Sequence, residues 1–266
     1  MSSQKHSRAA RRRAHISAVP AVVVALILSV VVVAPAQPTR PHPLAGVNSL
    51  SVEGSFGLVT SQYSPGAMRP ADSSIRLGRL AGDVTSIGLI FSRSMPDFFI
   101  SRGMTVRAGV EYIRLEQESF GTGRVAIDGG TSPVNVTQRT TVESEIVAAT
   151  VGIRINTSRG SGRLMPTVDL GATFGHSLYL GIRTMTQPEG IVPPVEFEPD
   201  RRFYYNTVNV GLGLGIALGR PGASATIVPS IALRAATTSL TKNEGEEIVP
   251  LSVTAGLELR FPLATP

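Results

Sequence analysis

The chain of 266 residues contains no cysteine and no tryptophan, and only 5% of it is aromatic. Without cysteine there are no disulfides, thiolate metal sites or cysteine nucleophiles. Beyond residue 36 the only histidines are His42 and His176, which excludes a multi-histidine metal site. No segment after the first 36 residues approaches 18 consecutive apolar positions, so no further spanning helix is expected. No long segment holds a 3.6-residue period either. Acid is absent from residues 1–36, which carry Lys5, Arg8, Arg11, Arg12 and Arg13. Removing those five from the 25 cations leaves 20 against 19 acids, with Lys242 the only lysine of the remainder. A near-neutral body argues against nucleic-acid binding despite the net charge of +6. The apolar fraction, 42%, is too high for a disordered chain.

What is present begins with an address. The basic head runs into an apolar stretch from Ala18 to Val33 and then Ala34-Pro35-Ala36. This is the three-part plan of a secretory signal, with small residues, Ala34 and Ala36, at −3 and −1 of a cut after Ala36. The alternative is an uncleaved membrane anchor. Residues 37–48, with Pro38, Pro41 and Pro43, read as a flexible lead-in.

From residue 49 the chain alternates with period 2. Eight strands are expected, at about 49–60, 83–93, 103–116, 143–156, 163–178, 203–218, 224–239 and 249–262. Each is long enough for the ~9–11 residues of a tilted bilayer-crossing strand. In 104–112 the even positions Met104, Val106, Ala108, Val110 and Tyr112 are apolar, and the odd ones are polar or small. In 203–218 the apolar set Val208 to Leu218 faces away from Thr207, Asn209, Gly211, Gly213 and Gly215.

Alternation fits both a soluble sandwich, with its apolar face inward, and a membrane barrel, with its apolar face toward lipid. Three features favour the barrel. Short links (94–97, 157–162, 219–223) alternate with long ones (61–82, 119–142, 179–202), although 240–248 is only moderately long. The polar parity carries Glu53, Arg107, Glu111, Arg154, Asp169, Arg234, Glu258 and Arg260, four acids against four arginines, as a paired lumenal network requires. Tyr112, Phe174 and Tyr204 sit on the apolar parity at the long-loop ends, and Phe91 and Phe261 at the opposite ends, where interfacial girdles belong.

The last strand, Ser252 to Phe261, resembles the terminal assembly signal of bacterial outer-membrane β-barrels, with Thr254, Gly256, Leu259 and Phe261 at its four positions. The tail 262–266 departs from members that stop at the aromatic residue. Across 49–262 the pattern is similar to small eight-stranded barrels of the OmpA-transmembrane-domain and OmpW type. The resemblance implies an all-β, up-and-down antiparallel barrel over 49–263 in the outer membrane. It implies contact with outer-membrane lipid and lipopolysaccharide, and recognition by the barrel-assembly machinery. Members include anchors, adhesins, narrow channels and a few lipid-modifying enzymes, so fold does not choose function.

Other motifs are read against their surroundings. Gly211-Leu212-Gly213-Leu214-Gly215 lies inside a strand rather than at a strand-to-helix turn, so small lumenal residues are expected, not a dinucleotide loop. His176 and Ser177 are neighbours, which point to opposite faces of a strand and cannot act as base and nucleophile. Glu244, Glu246 and Glu247 lack the spacing of a calcium loop. Asn135-Val136-Thr137 and Asn156-Thr157-Ser158 match glycosylation sequons, a pattern common by chance. Arginines near the long loops, Arg201 and Arg202 among them, offer phosphate clamps for lipopolysaccharide.

The expectation is therefore a non-enzymatic outer-membrane barrel with a plugged, charge-paired lumen. It has no cofactor and no catalytic or metal site, and it serves a structural or loop-mediated surface role. Ten strands are the structural alternative, because Ile75–Leu80 and Arg124–Ile127 with Val134–Gln138 can add or lengthen hairpins. A narrow solute channel is the functional alternative, a lipid-modifying enzyme stands third, and a soluble periplasmic sandwich is the rival fold.

Overall fold

A computed structural model describes residues 47–64, 66, 74–95, 103–126, 133–157, 163–189, 192–219 and 225–263. The signal segment 1–36, most of the lead-in, and His42 lie outside the described residues, as do most of the turn residues expected at 157–162 and 219–223.

The described chain is almost all strand: β1 (Asn48–Tyr63), β2 (Arg76–Leu77), β3 (Leu80–Ser94), β4 (Met104–Val125), β5 (Val134–Asn156), β6 (Leu164–Gln187), β7 (Val195–Phe197), β8 (Tyr204–Ala217), β9 (Thr226–Ala236) and β10 (Ile248–Pro262). The eight long strands pair antiparallel in the ring β1-β3-β4-β5-β6-β8-β9-β10, and β10 returns to β1 with Glu53 opposite Glu258. Closure leaves no free edge along the ring. The described ends of the chain meet at the short-turn end, where the Leu263 amide donates to the Asn48 carbonyl.

Two features of the expected layout change. Asn48, placed in the lead-in, already pairs with Arg93 in β1. The stretch 119–142, expected as a long loop, is mostly strand, and half of 179–202 is. β4 runs to Val125, β5 starts at Val134, and β6 continues to Gln187. Arg124 and Val134–Gln138 thus lengthen a hairpin, and Arg76–Leu77 adds only a two-residue strand on β4. The lengthened hairpin is the structural alternative expected from the sequence, whereas the continuation of β6 falls where a loop is expected. Outward positions here, such as Thr122, Thr137, Asn135 and Arg183, are mostly polar, so the greasy stripe stops where the strand does not.

β6 contains a bulge. Ile146 pairs with Ser177 and Glu145 with Tyr179, so Leu178 has no partner on β5. The extra residue switches parity. Ser177 points inward, and beyond it Leu180 and Ile182 point inward and are buried. Without the bulge, Tyr179 and Arg183 would face the interior instead.

Two inward glycines let the ring close. A side chain on Gly57 would bring its first carbon within 2.0 Å of the Val253 carbonyl oxygen, and one on Gly109 within 2.2 Å of that of Leu89. At both positions the neighbouring backbone occupies the space of any Cβ.

Candidate functional site

The barrel reverses polarity along its length. In the half next to the short turns, apolar residues face out: Val106 is 40%, Leu212 64% and Leu257 50% exposed. Five outward positions of β4, Met104 to Tyr112, form the local band, roughly 27 Å of strand at about 3.4 Å per residue. Phe91 and Phe261 mark one edge of this band, and Phe174 and Tyr204 the other, all exposed. That is the girdled apolar belt of a membrane-spanning barrel.

Past Tyr112 the pattern inverts. The outward residues of β4 become Arg114, Glu116 and Glu118, and those of β5 include Arg139, Glu143 and Glu145. The inward ones become Ile113 and Leu115, with Val142 and Ile146 across from them. The apolar-out, polar-in arrangement expected of the whole barrel is therefore corrected for its long-loop half, which is built like a water-soluble barrel with its core inside. The physical reason is the surrounding medium. Where strands stand in water, an apolar exterior gains nothing and an apolar interior gains ~25 cal/mol per Å² buried.

The lumen accordingly has two layers. The first is ionic. Arg107 lies 2.8 Å from Glu53, 3.0 Å from Glu258 and 3.4 Å from Asp169. Arg154 reaches Asp169 at 2.5 Å and Glu258 at 2.7 Å, and Arg260 reaches Glu258 at 3.0 Å. Arg234 pairs separately with Glu111 at 2.7 Å. All eight lumenal residues named from the sequence are brought together, six in one connected cluster of zero net charge and two in a neutral pair. Glu258, 1% exposed, is the hub and meets three arginines. A cavity of about 80 Å³, lined by members of both groups and by Asn209, separates them. It has room for a few waters at ~30 Å³ each. The glycines of β8 leave space for this layer: a side chain on Gly213 would sit 2.8 Å from Thr167 Oγ1.

The second layer is apolar and was missed by the sequence reading. Val59, Val84, Ile113, Leu115, Val142, Ile146, Leu180, Ile182 and Ile248 are buried in one cluster, joined by Tyr205 and Leu240. On β1, β4 and β6 these residues follow the lumenal charges Glu53, Glu111 and Asp169. On β5 and β10 they precede Arg154 and Glu258. Because the strands are antiparallel, the cluster always falls on the long-loop side of the ions. The available signal was a parity switch: in 113–119 the apolar residues move from even to odd positions.

No family model matches the chain, and no curated protein does either. Among the solved structures it is similar to are three from bacteria. The outer membrane protein OprG from Pseudomonas aeruginosa has a TM-score of 0.36 and 10% identity, covering 82% of this chain and 97% of that one. Ail, the attachment invasion locus protein of Yersinia pestis, has 0.29 and 12%, covering 82% and 99%. The outer membrane protease OmpT from Escherichia coli has 0.27 and 10%, covering 85% and 99%. The barrel architecture of this chain stands on its own strand register and burial.

The remaining candidates take ordinary places. His176 faces outward and stacks on Phe203 at 5.7 Å, while Ser177 faces inward with its hydroxyl donating to the Tyr179 carbonyl. The assembly-signal residues lie on β10, Thr254 and Gly256 inward, Leu259 and Phe261 outward. Asn243 donates to Glu246 across the acidic turn, and among the described residues no three potential ligands converge as a metal site. Above the band, Arg139 pairs with Glu118, and that hydrogen bond pushes the guanidinium pKa above its ordinary value.

Proposed function

We propose that this chain is a bacterial outer-membrane protein whose barrel is a sealed, non-enzymatic support for a raised surface structure. The observation that carries this reading is the reversal of polarity along the strands. The belt needs hydrocarbon around it, and the half beyond the belt needs water. Outer-membrane lipid and lipopolysaccharide are the neighbours such a belt takes, and the β10 pattern suits the barrel-assembly machinery. Inside, a neutral ionic cluster is followed by a wall of aliphatic side chains. Constrictions lined this way exclude water, and with it ions. The seal is therefore assigned to the apolar layer, and the ionic layer to fixing strand register. The 80 Å³ cavity favours the alternative of a narrow channel, but it lies in the ionic layer and none of the wall residues lines it.

Cell fractionation with heat-modifiable gel mobility tests the location: the protein is expected in the outer membrane, migrating differently before and after boiling. Recovery in the periplasm overturns it. Planar-bilayer recording of purified protein tests the seal: a flat baseline is expected, and steady conductance steps overturn it.

A further inference from the structure

Above the belt, three strands outgrow the ring. β3 pairs with β4 only as far as Glu118, and β8 pairs with β6 only as far as His176. Beyond those points β4, β5 and β6 continue together, edged by β2 and β7, as a five-stranded extension in the order β2-β4-β5-β6-β7. Its inner face is covered: Gln138, Thr140 and Ser119 are fully buried. Its outer face is exposed.

The register places the outer-face residues in rows. Arg76, Thr122, Thr137 and Gln187 lie side by side across four strands. Arg124 and Asn135 form the row above, and Phe120, Arg139 and Met185 the row below. Arg124 donates Nε to Asn135 Oδ1 at 3.1 Å, which orients its guanidinium and leaves both Nη groups without a partner among the described residues. Arg76 makes no ion pair among the described residues, and Arg139 stacks over Phe120 at 5.9 Å. Among the described residues the acids of this face lie one row further down, Glu118 paired with Arg139 and Glu196 on β7 opposite Arg183.

We propose that this outer face binds an acidic polysaccharide. The proposal rests on the reading of the barrel as a membrane support for a surface structure. Two guanidinium groups, Arg76 and the oriented Arg124, supply sites for carboxylate or phosphate groups along a chain. Thr122, Thr137, Asn135 and Gln187 supply neutral donors and acceptors suited to hydroxyls. The face has too little apolar area, essentially Phe120 and Met185, for the buried core of a protein interface. On β4 it also stands roughly 26–40 Å of strand beyond Tyr112, from Phe120 to Arg124 at ~3.3 Å per residue, which takes it away from lipid headgroups at the belt edge.

The test uses the full chain in detergent with polygalacturonate as probe and neutral dextran as control, read by biolayer interferometry. Wild type is expected to bind polygalacturonate at 50 mM salt, to weaken at least tenfold at 300 mM, and to ignore dextran. The double variant R76A/R124A is expected to lose at least tenfold, while R93A, at the other end of the barrel, binds as wild type. Heat-modifiable mobility shows that each variant is folded; if the double variant is not, R76Q and R124Q are measured singly. Equal binding by a folded Arg76 and Arg124 variant overturns the proposal, as does equal binding of dextran. Binding to anionic lipid vesicles that depends on these two arginines also overturns it, in favour of a headgroup site. None of these outcomes bears on membrane location or conductance, so the support reading fails or survives separately.

Discussion

Arg154 on β5 and Glu258 on β10 meet inside the barrel, Nη1 to Oε2 at 2.7 Å, from staves on opposite sides of the ring. Both side chains are almost entirely shielded. An ion pair of this kind contributes little against a well-packed apolar substitute, but losing one member strands a charge. Here the loss of Glu258 leaves Arg260 without a carboxylate and takes one partner each from Arg107 and Arg154, which keep Glu53 and Asp169.

Glu258→Gln is therefore expected to destabilise the barrel by about 3–5 kcal/mol, the range for breaking a buried pair. Urea unfolding followed by gel mobility measures this. A further Arg154→Met change is expected to recover part of the loss; an unchanged midpoint for Glu258→Gln alone would refute the hub assignment.

The two layers predict opposite electrical behaviour. Shortening the wall at two points, with Ile113→Ala and Ile146→Ala together, is expected to admit water and give conductance steps in planar bilayers. Each change also costs about 2–5 kcal/mol of stability. Neutralising the pair Glu111 and Arg234 to Gln and Met should leave the baseline flat, since the wall remains.

Closure at Gly57 is steric. Gly57→Val places its Cβ where the Val253 carbonyl oxygen and the Thr254 Cα already stand, at 2.0 and 2.5 Å, so β1 and β10 cannot pair. No heat-modifiable form is expected. Gly54→Val, whose Cβ meets nothing nearer than the Ser86 carbonyl oxygen at 3.9 Å, should fold and insert normally. Equal yields of folded protein would contradict the account.

The belt boundary can be mapped by charge insertion. Leu212→Arg, within the belt, is expected to cost about 2–4 kcal/mol in lipid, whereas Thr137→Arg, on the extension, should cost almost nothing. Folding yield into vesicles as a function of urea measures both, and a similar cost at the two sites would remove the boundary at Tyr112.

The sequence by itself determined the strand period, the number of long strands and the parity of the lumenal charges. Those follow from a local rule, that successive side chains on a strand point to opposite sides, and Arg107, Asp169 and Glu258 can be assigned a face without knowing the fold. It did not show that β4, β5 and β6 outgrow the ring. Nor did it show that Ile113 and Ile146 form a wall, or that Leu178 bulges and redirects Leu180 and Ile182. Each of these depends on which strand lies alongside and on whether lipid or water lies outside. An apolar residue next to a charged one reads the same in either medium. Only the closed ring, which separates an inside from an outside and a belt from the water above it, decides which way each must point.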